Sequence, residues 1–481
     1  MNTIANQQIE PVRWGLPIEE IKKLGDRLYD FCERFRPAMR TKTHDTSEYG
    51  VEYVSGLLRM ETERTITNIS RKTECDKQGM HHFISNSPWS SHALLKALAE
   101  DIRADTEWAT EAVLLLDESA NEKAGTMTAG AGRQYNGRLG KIDIAQVGVF
   151  LSLATPRANC WIDGELFIPK DWFEPENEAK RTLLGIPTER QFATKPELGW
   201  QMIQRAVDNG IPFVALDMDD LYGRNQELCL KLDQAGIEYY GDVPADTIVY
   251  LSKPTLKYPR RKDGKIAKRY IVHGQRYQVR DLLHHPSLER MMLTLRPNER
   301  GLLQATFARR PVWIIRQGRR YKRWLLIRQD EKRITYVLSN ASADTSLETM
   351  ARRKTHRYFI ERSNQDAKSE LGWDEFQAIK YTAWQHHLAL TILAAWFITQ
   401  TRLDWMRSHP HDPELLAHYE IDVLPLLSVR NVRELLRAAL PLPQLTSEQA
   451  VQLVIEKLEN RLYSRKSRLH KSARAGPVLE T

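Results

Sequence analysis

Cysteine is scarce and scattered. The 481 residues include four, Cys32, Cys75, Cys160 and Cys229, and no two form a CxxC pair. Such spacing argues against a disulfide framework or a zinc ribbon and suits a reducing compartment. Long apolar runs are also missing. The most apolar stretch, Leu388 to Ile398, is interrupted by Thr391 and is too short to span a bilayer, so it reads as a buried helix. The opening MNTIANQQIEPVRWG has no apolar h-region, so no signal peptide is expected and the expected location is cytoplasmic. There is no internal repeat and no low-complexity block. Catalytic signatures of other chemistries are absent too. GAGRQYNGRLGK has Tyr135 where a phosphate loop needs its first Gly, and Ile142 after the Lys. The pairs His81-His82, His284-His285 and His386-His387 lack metal-ligand spacing, and no GxSxG supports Ser-His-Asp catalysis.

What is present is a large foldable chain with a basic excess. Hydrophobic residues make up 42%, enough for real cores, and the length calls for two to four domains. A formal net charge of +8 favours polyanionic partners without requiring them. Residues 1–108 read as helical, with Pro17 suited to a first turn and Ser87 or Ser90 able to cap the helix that carries Leu94, Leu95 and Leu98. At about residue 111 the pattern becomes β. EAVLLLDES reads as a strand running into a turn, followed by two strands in TMTAGAGRQYNG and DIAQVGVFLSLA. TKPELGWQMIQRAVDNG is a helix stopped by Gly210, IPFVALDMDDLYG a strand with an acidic end, and NQELCLKLDQAG a second Gly-stopped helix. This order, three strands, helix, strand, helix, is that of the first part of a ribonuclease H-like fold. Residues 246–345 are mostly β, and VWIIRQGRRYKRWLLIRQDEKRITYVLSN reads as three strands. Helical patterning resumes at 346, and SEQAVQLVIEKLENRLYSRK is an amphipathic helix running into the basic tail of Arg461, Arg465, Lys466, Arg468, Lys471 and Arg474.

The expected fold is therefore α/β (α+β): a ribonuclease H-like mixed sheet flanked by helices, with an all-β insertion and a helical N-terminal domain. The expected organisation is a helical N-terminal domain over 1–108, the first part of the core over 109–245, the β-rich insertion over 246–345, a further helical part of the core over 346–405, and a helical C-terminal region over 406–481.

Acidic residues at strand ends supply the chemistry. Asp117 closes Val113–Leu116, and Asp219 closes the run from Phe213 to Met218. Adjacent strands would set two such carboxylates side by side as hard oxygen ligands for magnesium. Strand-end Asp residues are more often turn or cap residues, and Asp217 and Asp220 compete with Asp219; alternation places 217 and 219 on one side. ARRKTHRYFIERSNQDAKSELGWDEFQ is predicted as one helix carrying Arg357, Glu361 and Lys368 on one face. Its cations can hold DNA phosphates while Glu361 meets metal, although Glu and Lys along a helix are usually a solvated face. Two basic clusters lie in the insertion. One is Lys257, Arg260, Arg261, Lys262, Lys265, Lys268 and Arg269; the other is Arg309, Arg310, Arg316, Arg319, Arg320, Lys322 and Arg323, interleaved with Trp313, Tyr321 and Trp324. Cations of this kind neutralise phosphate, and aromatic rings stack on unpaired bases, although charge runs are also solvated turns and Trp is often core.

These blocks, in this order, resemble the bacterial insertion-sequence transposases of the DDE type, in the subgroup with a Tyr-Arg-Glu-Lys helix. LLLDESANEKAGTMTAGAGRQYNGRLGKIDIAQVGVFLS resembles the first-Asp block, LDMDDLYGRN the second, RYFIERSNQDAKSELGWDEFQ the Glu block, and AWQHHLALTILAAWF the helix behind it. The resemblance runs over most of residues 20 to 405. Its Asp-x-x-Tyr-Gly register selects Asp219 over Asp217. Lys354 stands where the subgroup has Tyr, and Tyr358 where it has Trp. The resemblance implies Asp117, Asp219 and Glu361 as catalytic metal ligands and two Mg2+ per site, with Mn2+ as a substitute. It also implies double-stranded DNA (inverted-repeat ends and target) as partner, a homodimer on DNA, no membrane, association with the nucleoid, and cut-and-paste transposition. DNA contacts are expected at Arg357, Lys368, Arg260, Arg261, Lys262, Trp313, Arg319, Arg320, Lys322, Arg323 and Trp324. A catalytically silent end-binding regulator and a metal-dependent nuclease without strand transfer are the alternatives.

Overall fold

The apolar run Val113–Leu116 is buried to within 1% on both faces, which only a central strand allows. In the computed structural model this run opens β1 (Val113–Glu122), the middle of a ten-stranded sheet. The structure describes all residues except 1–9, 43, 137–139, 261–264, 267–268, 299–300, 331–332, 421–423, 425 and 476–481, and the side chains of 136, 296–298, 301–303, 468–469 and 471–475. Two units are compact in themselves, residues 1–440 and 441–481.

The strands of the ten-stranded sheet are β1, β2 (Gly132–Asn136), β3 (Lys141–Ala154), β4 (Asn159–Phe167), β5 (Ala215–Met218), β6 (Tyr239–Val243), β7 (Glu289–Asn298), β8 (Gly301–Arg316), β9 (Arg319–Gln329) and β10 (Ile334–Ser339). Their order is β7-β8-β9-β10-β6-β5-β1-β3-β2, with β4 also on β3. β5 runs parallel to β1 and to β6; every other neighbour in this sheet is antiparallel. An antiparallel meander followed by parallel strands reached through helices is the ribonuclease H-like pattern, flanked here by helices as the sequence led us to expect.

Two boundaries differ from the sequence expectation. β1 does not turn at Asp117 but runs on to Glu122, because the long β3 pairs with it residue by residue from Ala154 to Ala145. The β-rich stretch is continuous with the central sheet: β10 pairs with β6 from Tyr336↔Val243 to Ser339↔Tyr240, so the hairpins β7–β10 extend it edge on. A separate apolar cluster that includes Val249, Val279, Leu282, Val312, Leu325 and Ile327 packs these hairpins.

Among the helices are α1 (Leu24–Met39), α2 (Ser47–Arg59), α3 (Ser91–Ala104), α4 (Lys195–Asp208), α5 (Asp220–Gly223), α6 (Gln226–Gln234), α7 (Leu347–Thr355), α8 (Arg357–Ser369) and α9 (Tyr381–Ser408). Ser90 caps α3 through the Ala93 amide. Thr194 and Glu197 form a reciprocal capping box on α4, and Gly210, at φ +68°, follows its end. α9 is buried on most of its surface and packs on β4 and on the N-terminal helices, as Leu388 to Ile398 suggested. Among the described residues no helix is long and apolar enough to cross a membrane. The smaller unit is dominated by one helix, Ser447–Ala475.

Candidate active site

The parallel register of β1 and β5 ends at Leu116↔Met218, so the next residues on the two strands are Asp117 and Asp219. Asp219 caps α5: its Oδ1 accepts the Leu221 amide at 2.9 Å and the Tyr222 amide at 3.3 Å. That turn sits hard against β6. A Cβ at Gly223 would lie 2.2 Å from the Asp242 carbonyl oxygen, so only glycine permits the approach. Asp117 accepts the Glu118 amide at 2.9 Å.

Glu118 is a residue the sequence reading missed. Alternation along β1 assigns it the face opposite Asp117. Beyond Leu116, however, β5 no longer covers that edge, and the longer Glu118 side chain reaches Tyr222 and Lys195. The Tyr222 hydroxyl donates to its Oε2 and the Lys195 ammonium to its Oε1, each at 2.8 Å. One oxygen from each of Asp117, Glu118 and Asp219 lies within 4.8 Å of the others. The only sequence hint was a second acid directly after the strand-end Asp.

The helix predicted as continuous is two, α7 and α8, joined at His356. Lys354, on α7, therefore leaves the Arg-Glu-Lys face. Its buried ammonium pairs with Asp217 at 2.5 Å and Asp242 at 2.7 Å. This separates the two candidate aspartates by environment: Asp217 is fully buried against Lys354, and Asp219 faces Asp117. Arg357, the first residue of α8, sits among acids. Its Nη2 is 3.4 Å from Asp117 and 3.9 Å from Asp219, and its Nε is 3.9 Å from Asp242. Arg357, expected as a DNA contact, is surrounded by carboxylates here. Lys368 likewise donates to the Ala120 carbonyl at 2.8 Å, which ties α8 along β1.

Glu361 is not brought into the carboxylate group. It is exposed on α8, one turn beyond Arg357 and on the same face, roughly 6 Å farther along the axis. Two of the three expected acids are together, and the third lies on the adjoining helix face.

The electrostatics follow from burial. Asp117 is pushed up to about 7 by desolvation; Arg357 opposes this, while Asp219 and Glu118 add to it. Asp219 is raised for the same first reason. Burial works against the Arg357 charge too, yet the carboxylates around it raise its pKa. The acids thus form a half-buried, under-neutralised oxygen cluster, which fits a hard divalent cation: oxygen donors alone, and an excess of negative charge for the ion to relieve.

In the hairpins, burial divides the cations. Arg316 and Arg323 turn inward, each donating to the Tyr239 hydroxyl at 3.1 Å, and Arg323 also pairs with Asp233. Arg323, expected as a DNA contact, is thus buried here. Arg319, Arg320 and Lys322 are exposed around the Gln317-Gly318 turn. Trp313 is half-buried with the Lys253 ammonium 5.3 Å from its ring centre, and Trp324 is half-buried under the Arg309 guanidinium at 4.4 Å. Arg260 forms an isolated bridge with Ile266, whereas Arg261 and Lys262 lie outside the described residues.

A mixed sheet thus sets Asp117, within β1, beside Asp219, directly after the parallel β5, and sequence comparison supplies the class of protein, an endonuclease. Residues 31–328, more than half the chain, match the family described as DDE superfamily endonuclease, and the chain belongs to that family. The matched stretch contains Asp117 and Asp219 and ends before α8. Among individual proteins, the chain is similar to the probable transposase for insertion sequence element IS701 of Microchaete diplosiphon. The two are 22% identical over 329 residues, which cover 66% of this chain and 73% of the relative.

Proposed function

We propose that this endonuclease is an insertion-sequence transposase, which cleaves DNA at the inverted-repeat ends of its element and joins the freed strand to target DNA. The adjacency of Asp117 and Asp219 on β1 and β5 carries the reading, with the family match and the named relative in support. Asp117 and Asp219 would hold Mg2+, or Mn2+ in its place, with Glu361 completing the set from α8 and Glu118 close enough to share the load. Bound divalent ions supply Lewis acidity to the attacking and leaving oxygens of the phosphodiester.

The chain's own residues do the rest. The α5 amides fix the Asp219 rotamer, and Tyr222 and Lys195 orient Glu118. Lys354 neutralises Asp217, so that the second strand-end acid is taken out of the reaction. The exposed Arg319, Arg320 and Lys322, with Lys368 nearer the acids, would hold phosphates; Trp313 is the better placed of the two tryptophans to meet a base, because Trp324 is covered by Arg309. The protein would act as a dimer, since two ends must be processed together.

The test is strand joining by the purified chain on DNA bearing the element's ends. Cleavage with joined product supports transposition. Cleavage without joining reduces the function to a nuclease, and binding without cleavage in either metal reduces it to an end-binding regulator.

A further inference from the structure

The two cations beside the acids are seated very differently. Lys354 makes short contacts, 2.5 and 2.7 Å, to Asp217 and Asp242. Arg357 makes long ones, 3.4 Å to Asp117 and 3.9 Å to Asp219 and Asp242, and its buried Nη1 has no hydrogen-bond partner among the described residues. A guanidinium normally meets carboxylates through short paired bonds. Here it balances charge without good hydrogen bonding, and one donor is left over. It occupies the same two carboxylates that the proposed function gives to a metal, so the two cations compete for one seat.

We propose that Arg357 is a resident counter-ion of the acidic pair, seated on Asp117 and Asp219 while no metal is bound and released toward Asp242 when metal arrives. The inference rests on the reading of Asp117 and Asp219 as metal ligands. Asp242 is the natural second seat: its Oδ1 is held by Lys354 and its Oδ2 already faces the Arg357 Nε. Release also frees Nη2 from the carboxylates, so that together with the unpartnered Nη1 it can meet whatever anion enters the site, which for an endonuclease is phosphate. The residue thereby keeps the metal-free acids from repelling one another, sets the metal affinity, and couples metal binding to the availability of a phosphate-binding fork.

The test needs no DNA. Mn2+ is titrated into the full-length protein, and free ion is read by electron paramagnetic resonance. Wild type is compared with Arg357→Gln, Arg357→Lys and Asp117→Asn. Removal of the competing cation should tighten Mn2+ binding in Arg357→Gln on the order of tenfold. Arg357→Lys keeps one charge but cannot bridge the acids as a fork, so it should fall between the two and serves if the Gln variant does not fold. Asp117→Asn should lose the site. If both Arg357 variants bind at wild-type affinity or weaker while Asp117→Asn loses binding, the counter-ion inference is overturned and the metal reading stands. If Asp117→Asn binds like wild type, the metal reading fails and the inference with it.

Discussion

Asp117 combines a negative charge, a half-buried setting that desolvates it and a cation held at arm's length, and each has a measurable consequence. Its folded pKa, pushed up to about 7, lies above its unfolded value, so between about pH 4 and pH 7 the native state binds more protons than the unfolded one. Metal-free stability contributed by this group is therefore highest at the acid end of that window and is lost as pH rises through it. Asp117→Asn should then melt higher than wild type at pH 8 without metal, by up to ~2–4 kcal/mol, and no higher at pH 4. Identical melting differences at the two pH values would contradict this electrostatic picture. The same variant, like Asp219→Asn and Glu361→Gln, should bring cleavage below detection while leaving DNA binding largely intact. Glu118→Gln, the loss of a supporting carboxylate, should cost activity on the order of 10- to 100-fold, measured as the initial rate of plasmid nicking.

At the level of the elements, the site depends on how closely α5 and α7 approach the sheet. Gly223→Ala forces a Cβ into the β6 backbone and should destabilise the protein by roughly 1–3 kcal/mol while impairing cleavage, since Tyr222 and the Asp219 cap move with the turn. Lys354→Met leaves Asp217 buried without its ammonium and should cost ~3–5 kcal/mol in denaturant melts; adding Asp217→Asn should recover part of the loss. A single variant as stable as wild type would mean that the buried pair is unimportant. These elements also show what the sequence could convey. Apolar runs bounded by Gly and acids marked β1, β5, α4 and α6 because burial periodicity and capping are local. The extension of β1 to Glu122 was hidden, since it depends on β3, whose pairing is not local. The break at His356 was hidden as well: nothing in ARRKTHRYF interrupts helical periodicity, and the partners of Lys354, Asp217 and Asp242, lie more than a hundred residues away. Glu118 was invisible for a third reason, that strand alternation assigned it to the wrong side.

In the larger unit, the β-rich hairpins continue the sheet that carries Asp117. With Arg316 and Arg323 turned inward, Arg319, Arg320 and Lys322 are left as the exposed cations of the tip. Arg319→Gln with Arg320→Gln should weaken DNA binding and reduce the slope of log affinity against log salt by about 2, if each neutralises one phosphate. An unchanged slope would remove the tip from the interface.

The most direct measurement of the central arrangement is the nicking of plasmid DNA carrying the element's ends, in Mg2+, by wild type and by Asp219→Asn. Cutting by the wild type and none by a variant that still folds and binds the same DNA is the result that adjacent metal-holding aspartates require. Wild-type cutting by Asp219→Asn would contradict it, and would return the second acidic position to Asp217 or to another acid altogether.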